Sequence, residues 1–167
     1  MRIIAIDGRS AAGKTTLAAQ LATETGASVI HMDDFFLPED MRTAERLDEP
    51  GGNVHYERFA AEILPHIKGS DAFSYGIFDC AVGEIRGTRE IPEGEVRVVE
   101  GAYCCHPIFG DYMDLRIFCD IPSDKQIERI KKRNGTRAAE IFAEKWIPLE
   151  EKYLQNFDIA AKADVVI

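Results

Sequence analysis

Gly8-Arg9-Ser10-Ala11-Ala12-Gly13-Lys14-Thr15 fills every fixed position of the pattern G-x-x-x-x-G-K-[ST], and Thr16 extends it. Glycine makes up about 7% of average sequence, so a chance match in this chain is about a one-percent event. The flanks narrow the reading. Arg2-Ile3-Ile4-Ala5-Ile6-Asp7 is a nearly continuous apolar run, as expected of a parallel strand covered on both faces. After the loop, Leu17, Ala18, Leu21 and Ala22 recur at helical spacing until Gly26 supplies a stop. Strand, glycine-rich turn and helix in that order form a cradle for phosphate. Glycines let backbone N–H groups fold around the oxygens, and the helix N-terminus adds its positive dipole end. Lys14 is placed to neutralise β- and γ-oxygens, and Thr15 to offer a hydroxyl to Mg²⁺. The candidate nucleotide-contacting residues are Gly8, Ser10, Ala11, Ala12, Gly13, Lys14, Thr15 and Thr16.

The remaining chain continues the alternation. Ser28-Val29-Ile30-His31-Met32 reads as a second strand, which makes residues 2–32 a βαβ unit with a right-handed crossover. Residues 38–55, with Pro38, Pro50, Gly51 and Gly52, read as loop. Phe59, Ile63 and Ile67 predict a helix from Tyr56 that Pro65 bends or ends. Residues 73–79 and 84–91 read as an extended pair, and 96–99 and 115–119 as strands. Ser123 is placed to cap a helix over 124–133, which Asn134-Gly135 ends. Helices over 137–146 and 149–157 and a last strand over 163–167 complete the chain. The predicted fold class is α/β, a three-layer αβα sandwich with a mostly parallel sheet.

The chain has 167 residues, enough for one domain over 1–167, and its 46% hydrophobic content suits a single buried core. Twenty Lys+Arg against 29 Asp+Glu give a net charge of −9, which argues against broad nucleic-acid binding. No apolar run approaches the ~18 residues of a membrane span. Cys80, Cys104, Cys105 and Cys119 show no C-x-x-C spacing, so neither a zinc site nor a disulfide framework is expected. The apolar stretch after Met1-Arg2 is too short for a secretory signal, and a reducing cytoplasmic location follows by default. One stretch runs against the mean charge: Lys125–Arg137 holds six Lys/Arg and the single acid Glu128. Within it Arg129 and Arg133 lie four apart on one helical face, where they either reach over a nucleotide or form a solvated surface.

Phosphate loops serve several chemistries. The guanine-reading N-K-x-D is absent, the one D-x-x-G (Asp48–Gly51) lies in a Pro-rich loop, and no strand ends in a paired D-E. These absences point toward kinases. His31-Met32-Asp33-Asp34-Phe35-Phe36 gives the positive sign. In an open parallel sheet the carboxyl end of the second strand shares a rim with the phosphate loop, so Asp33 should face the transferred phosphate. A carboxylate there can accept the proton of an attacking hydroxyl, although an Asp at a strand end is also an ordinary turn residue. His55, Tyr56 and Arg58 are candidates for acceptor recognition or simple helix-entry residues. Phe35 or Phe36 either lines the acceptor pocket or packs in the core, and Phe142 and Trp146, four apart, are expected to fill core beneath a lid.

With these residues in place, the chain resembles the uridine kinase group of P-loop kinases, relatives of phosphoribulokinase and bacterial pantothenate kinase, collinearly over almost its whole length. The likeness runs through Ile6-Asp7-Gly8 and the loop to Met32–Phe36, Phe78-Asp79-Cys80 with Arg86, and Val99-Glu100-Gly101. It continues through Asp114–Asp120, Arg129–Arg133 and Ala163–Ile167. The resemblance implies ATP and Mg²⁺ as cofactors and a small-molecule hydroxyl as acceptor, a nucleoside such as uridine first. It implies Asp33 as base, Asp79 and Arg86 at the acceptor, Glu100 with Thr15 at the metal, and lid arginines among Arg129, Arg133 and Arg137. Phe36 and Tyr56 complete the expected acceptor set. It also implies an acceptor-binding region over about 34–90 and a lid over about 133–145. The lid is short and carries Asn134 where the group has aspartate, and 51–59 does not reproduce the group's sugar-contacting stretch. A vitamin- or sugar-type acceptor, or a nucleotide-binding regulator without phosphotransfer, is therefore the alternative. No nucleic-acid or membrane partner is expected, and homo-oligomerisation is left open.

Overall fold

The computed structural model describes residues Met1–Ile167. Five parallel strands form the central sheet: β1 (Arg2–Gly8), β2 (Ser28–His31), β5 (Val96–Glu100), β6 (Leu115–Cys119) and β7 (Val165–Val166), in the order β2-β5-β1-β6-β7. β1 lies at the centre, with Ile4 opposite Val98 on one side and Ile6 opposite Ile117 on the other. Its alternate residues enter different cores. Ile3 and Ala5 join a large cluster with Phe35, Phe59, Phe109 and Tyr153, while Ile4 and Ile6 join a smaller one with Ala18 and Val98. A strand buried on both faces must be apolar at every position, which explains the unbroken run. Helix α1 (Lys14–Thr25) covers the smaller core and stops at Gly26, whose N–H donates to the Ala22 carbonyl at 2.9 Å. The layers and parallel sheet are those expected from the sequence.

The segment read as loop is more ordered than its Pro and Gly content suggests. It holds a 3₁₀ turn (Glu39–Met41) and a short helix α2 (Ala44–Asp48), whose first turn Thr43 caps by accepting the Arg46 N–H at 3.1 Å. The predicted helix from Tyr56 is split into α3 (Tyr56–Glu62) and α4 (Leu64–Ile67), with Pro65 in the first turn of α4. The extended pair is an antiparallel hairpin, β3 (Phe73–Asp79) and β4 (Glu84–Ile91), apart from the main sheet and bulged between Gly76 and Phe78. It is tied to the second strand end through Tyr75, which stacks on Phe35 at 5.2 Å.

After β6, helix α5 (Ser123–Asn134) starts without a side-chain cap from Ser123. It leads to α6 (Thr136–Ile141), a π-helical turn over Phe142–Trp146, and α7 (Ile147–Asn156). A π turn inserts one residue and rotates the helix beyond it, a device common at functional sites. It also corrects the sequence reading: Phe142 and Trp146 are both half-exposed rather than core. The last strand is short, Val165 and Val166 lying exposed at the sheet edge; on either side the Asp164 and Ile167 N–H groups donate to the Arg116 and Phe118 carbonyls at 2.9 and 3.0 Å, and the Asp164 carboxylate takes the Arg116 N–H at 2.7 Å.

Candidate active site

The phosphate loop is the chain between β1 and α1. Gly8 has φ 131°, and a Cβ there would lie 2.1 Å from the Cys119 carbonyl oxygen, so no other residue lets β1 run past β6 into the loop. Ala11 (φ 61°) and Gly13 (φ 102°) both adopt left-handed conformations. Left-handed residues placed alternately turn successive N–H groups toward one point, the geometry of an anion nest. Lys14 is buried, with Nζ donating to the Gly8 and Arg9 carbonyls at 2.7 and 2.8 Å, so the cation lies inside the loop's arch. Arg129 of α5 reaches back to the Ala11 carbonyl at 3.1 Å. Thr15 and Thr16 stand exposed at the start of α1.

Two buried carboxylates brace this loop from behind. Asp7 accepts from the N–H groups of Gly8 (2.7 Å), Tyr103 (3.2 Å) and Cys105 (2.9 Å) and from the Tyr153 hydroxyl (2.7 Å). Burial raises its pKa, and these donors together with Lys14 act the other way. Cys104 and Cys105 lie beside it, but with its oxygens already accepting four donors Asp7 is a strut rather than a metal ligand. Glu150 of α7 accepts from the Ser10 N–H at 2.8 and 3.0 Å and from its hydroxyl at 2.7 Å. Ser10 is thereby committed to the protein, as is the Ala12 N–H, which donates to the Arg9 carbonyl at 3.1 Å, and the remaining loop amides are left for a ligand.

Glu100 ends β5 beside β1. Its oxygens lie 3.2 and 3.3 Å from the Thr15 hydroxyl, and His31 Nδ1 lies 2.6 Å from Oε1. Adjacent ligands of an octahedral Mg²⁺ at 2.0–2.1 Å are about 2.9 Å apart, so a hydroxyl and a carboxylate this close suit that ion with little movement. The donor set is all oxygen and one side chain is anionic, which also fits Mg²⁺. The sequence reading did not include His31, because a strand-end His carries no signal until β2 and β5 pair His31 with Glu100.

The two aspartates after β2 separate sharply. A 3₁₀ turn over Met32–Phe35 leaves Asp33 open to solvent and buries Asp34, which accepts from the Tyr75 hydroxyl (3.0 Å) and Arg89 Nε (2.9 Å). Although solvent reaches Asp33, it sits in a concavity dense with protein. That desolvation and the like charge of Glu100 raise its pKa, opposed by Lys14, His31 and Arg133. Of the charges that act on Asp33, Glu100 and Lys14 belong to the phosphate site, so base candidate, lysine and metal candidate share one rim. Arg133 and Arg137 stand exposed, Arg133 donating to its neighbour Asn134 at 2.7 Å and Arg137 without a partner.

The acceptor candidates divide. Phe36 is half-buried at an isolated bridge with Val54, one residue past the Asp33 turn. Asp79 caps the hairpin turn by accepting the Ala81 N–H at 2.8 Å. Arg86 is 61% exposed and touches only Glu84, at 3.7 Å; Arg89 is the hairpin arginine that enters the site, through Asp34. Strand alternation interrupted by the bulge decides which arginine turns inward, which spacing alone does not reveal. Tyr56 is occupied by the protein: Arg46 lies 3.7 Å over its ring and its hydroxyl donates to Glu49 at 3.0 Å. His55 caps α3, and Arg58 clamps the hairpin through the Asp34 and Gly76 carbonyls (3.1 and 2.7 Å) and Glu62. Arg42, by contrast, uses only Nε, on the Leu37 carbonyl, and lies 5.8 Å from the Trp146 ring with its terminal nitrogens unpartnered. Arg42 and Asp33 are both among the charges that act on the Cys80 thiol. A cavity of about 400 Å³ next to the loop is lined by Arg9, Asp120, Ile121, Pro122, Ser123, Val166 and Ile167.

No protein-family model matches the chain. Among solved structures, a possible uridine kinase from Bacillus stearothermophilus superposes with TM-score 0.72 at 24% identity, over 99% of this chain and 88% of that one. The chain has the fold of the P-loop small-molecule kinases. D-glycerate 3-kinase from Cryptococcus neoformans superposes with TM-score 0.62 at 15% identity (90% and 78% covered). A gluconokinase from Sinorhizobium meliloti gives 0.51 at 14% (87% and 73% covered). In this P-loop kinase fold the loop, Asp33 and Glu100 all lie at the carboxyl edge of the sheet, where ligands of open α/β sheets bind.

Proposed function

We propose that the protein is an ATP- and Mg²⁺-dependent phosphotransferase acting on a hydroxyl of a small metabolite. The observation that carries this is the combination of a lysine-braced anion nest with an open carboxylate, Asp33, on the adjoining strand end and within the field of that lysine. The nest amides of residues 11 and 13–15, together with the Lys14 side chain, bind the β- and γ-phosphates. Thr15 and Glu100 hold Mg²⁺, which when bound offsets the charge of the phosphate oxygens. The cavity beside Arg9, with Ile121, Pro122 and Ile167 as apolar walls, receives the base. Asp33 orients the acceptor hydroxyl and takes its proton as the new O–P bond forms and the bond to the leaving ADP oxygen breaks. Arg129 and Arg133 close over the transferred group and stabilise its charge, with Arg137 joining on lid closure.

For the acceptor, the uridine kinase resemblance and the possible uridine kinase among the structural neighbours favour a nucleoside. A second reading, a sugar-acid acceptor, is supported by a specific feature. Arg42 presents unpaired donors beside Trp146, and it and Asp33 both act on the Cys80 thiol, whereas Tyr56, the aromatic expected to contact a nucleoside, is already covered by Arg46. Two structural neighbours are a D-glycerate kinase and a gluconokinase. The deciding experiment measures acceptor-dependent ADP release with MgATP against uridine, cytidine, D-glycerate, gluconate and their neutral counterparts glycerol and glucose. Release with a nucleoside selects the first reading, and release with an acid but not its neutral counterpart the second. Tight ATP binding with no release across nucleosides, sugars, sugar acids and vitamin precursors would overturn phosphotransfer in favour of a nucleotide-sensing regulator.

A further inference from the structure

Glu150 is a fully buried acid beside the loop to which neither the sequence pattern nor the proposed chemistry assigns a role, and unlike Asp7 it comes from the opposite end of the chain. Only 2% exposed, it lies 140 positions from its partner Ser10, yet it meets that residue through both the backbone N–H and the hydroxyl. Gln126, itself buried on α5, donates to the same carboxylate at 3.3 Å. The neighbouring turn of α7 adds three more ties: Glu151 to Arg9, Lys152 to Asp48 (2.6 Å), and Tyr153 to Asp7 (2.7 Å). One helical turn thus grips the strand end, the phosphate loop and the acceptor-side helix α2. That turn comes directly after the π turn that ends the lid.

The grip falls at a mechanically sensitive point. Ala11, next to Ser10, holds φ 61°, a left-handed conformation unfavourable for a residue with a Cβ. Such a conformation persists only when its surroundings over-determine it. Glu150 fixes the residue before it, and Arg129, on the Ala11 carbonyl, the residue itself. Ser10 lies on the edge of the nest whose later amides converge on the anion, so the angle at which those amides point depends on where Ser10 is held. Burial raises the Glu150 pKa, while Lys14 and the Ser10 donors act to keep it ionised.

We propose that Glu150 is a positioning residue for nucleotide binding, which holds Ser10 so that the loop amides stay aimed at the phosphates and which couples that aim to the lid through α7. The proposal rests on the nucleotide-binding reading above. Glutamine keeps an acceptor for the Ser10 N–H and can donate to the hydroxyl, whereas alanine removes the brace. Titration of mant-ATP should show affinity at least tenfold weaker for Glu150→Ala and within threefold of wild type for Glu150→Gln. Leu154→Ala, a core deletion on the same helix, should lower the melting temperature while leaving mant-ATP affinity unchanged, which separates positioning from general loosening. Hydrogen exchange of loop amides 10–15, measured without nucleotide, should accelerate in Glu150→Ala and not in Leu154→Ala. Affinity and exchange in Glu150→Ala that match wild type would overturn the proposal, as would a Glu150→Gln variant as weak as the alanine. A wild-type chain that fails to bind mant-ATP would overturn the nucleotide reading instead, and loop exchange would still decide whether Glu150 braces Ser10.

Discussion

Replacing Asp33 by Asn tests the assignment of the base, because the two side chains share a shape and differ in charge and basicity. Asp33 makes no hydrogen bond to the phosphate loop, whose Ser10 amide is held by Glu150 and whose Lys14 is held by the Gly8 and Arg9 carbonyls. ATP affinity should therefore stay within about twofold. Proton acceptance by a positioned carboxylate contributes about 10²–10⁴ in rate. At about 1.36 kcal/mol per tenfold this is roughly 3–5 kcal/mol of barrier. Turnover in an ADP-release assay should fall by that factor with KM for ATP nearly constant. Stability should move the other way. The folded-state pKa of Asp33 is raised above 3.8 by crowding and by Glu100, so between 3.8 and the raised value the folded chain binds more protons than the unfolded one. Stability then falls as pH rises through that window, and the deficit persists at neutral pH. Asn carries no charge to repel Glu100, so the variant should melt higher than wild type at pH 7 and equal to it near pH 3. The wild-type rate should rise with pH through the same window, since the base works deprotonated. Unchanged turnover would refute Asp33 as base, and a parallel loss of ATP affinity would show that it serves the nucleotide.

Three further outcomes are set by the geometry. Lys14→Met removes a charge-assisted donor worth about 1.5–3 kcal/mol, so ATP should bind about 10–100-fold more weakly in calorimetry while the fold, read by circular dichroism, is retained. Arg58→Ala leaves the Asp34 and Gly76 carbonyls and Glu62 without their donor and loosens the hairpin beside Asp33. Urea unfolding should register a loss of about 2–4 kcal/mol. Glu57, hydrogen-bonded by Arg46, has its pKa lowered from 4.5 to about 2, so the stability it adds is present above 4.5 and lost as pH falls through about 2. Its side chain is 46% exposed, which limits the gain to under about 1 kcal/mol. Glu57→Gln should lower the melting temperature slightly at neutral pH and flatten the profile between pH 4.5 and about 2, so that variant and wild type converge in acid.

The parts of the protein that could be read from sequence are those governed by local rules. The loop announces itself because Gly8 and Gly13 occupy backbone conformations that glycine suits best, and β1 because a central strand is apolar throughout. The hairpin bounds, 73–79 and 84–91, are also legible from alternation and turn residues. What sequence hides is set by partners distant along the chain. Tyr56 looks like a substrate contact until Arg46 lies over it, and Trp146 looks like core until a π turn rotates it to the surface beside Arg42. Of the two adjacent aspartates only one is free, and the choice is made by Tyr75 and Arg89 from a hairpin more than forty residues away.

The same long-range pairing shows how a chain of net charge −9 can be suited to the polyanion proposed as its ligand. Asp7, Asp34 and Glu150 lie near the phosphate site and are all buried, and each spends its charge on donors: three backbone N–H groups and a tyrosine for Asp7, Arg89 and a tyrosine for Asp34, Ser10 and Gln126 for Glu150. Acids satisfied in this way act as rivets, and their field at the mouth of the site is offset by the dipoles they engage. The cations are arranged in the opposite sense. Lys125, Arg129, Lys131, Lys132, Arg133 and Arg137 are all exposed on the helices that border the loop, and Arg129 and Arg133 act directly on Ala11 and Asp33. Acidic groups consumed inside the fold and basic groups left free at its rim give a local field favourable to phosphate, while the net charge reflects acids distributed over the rest of the surface.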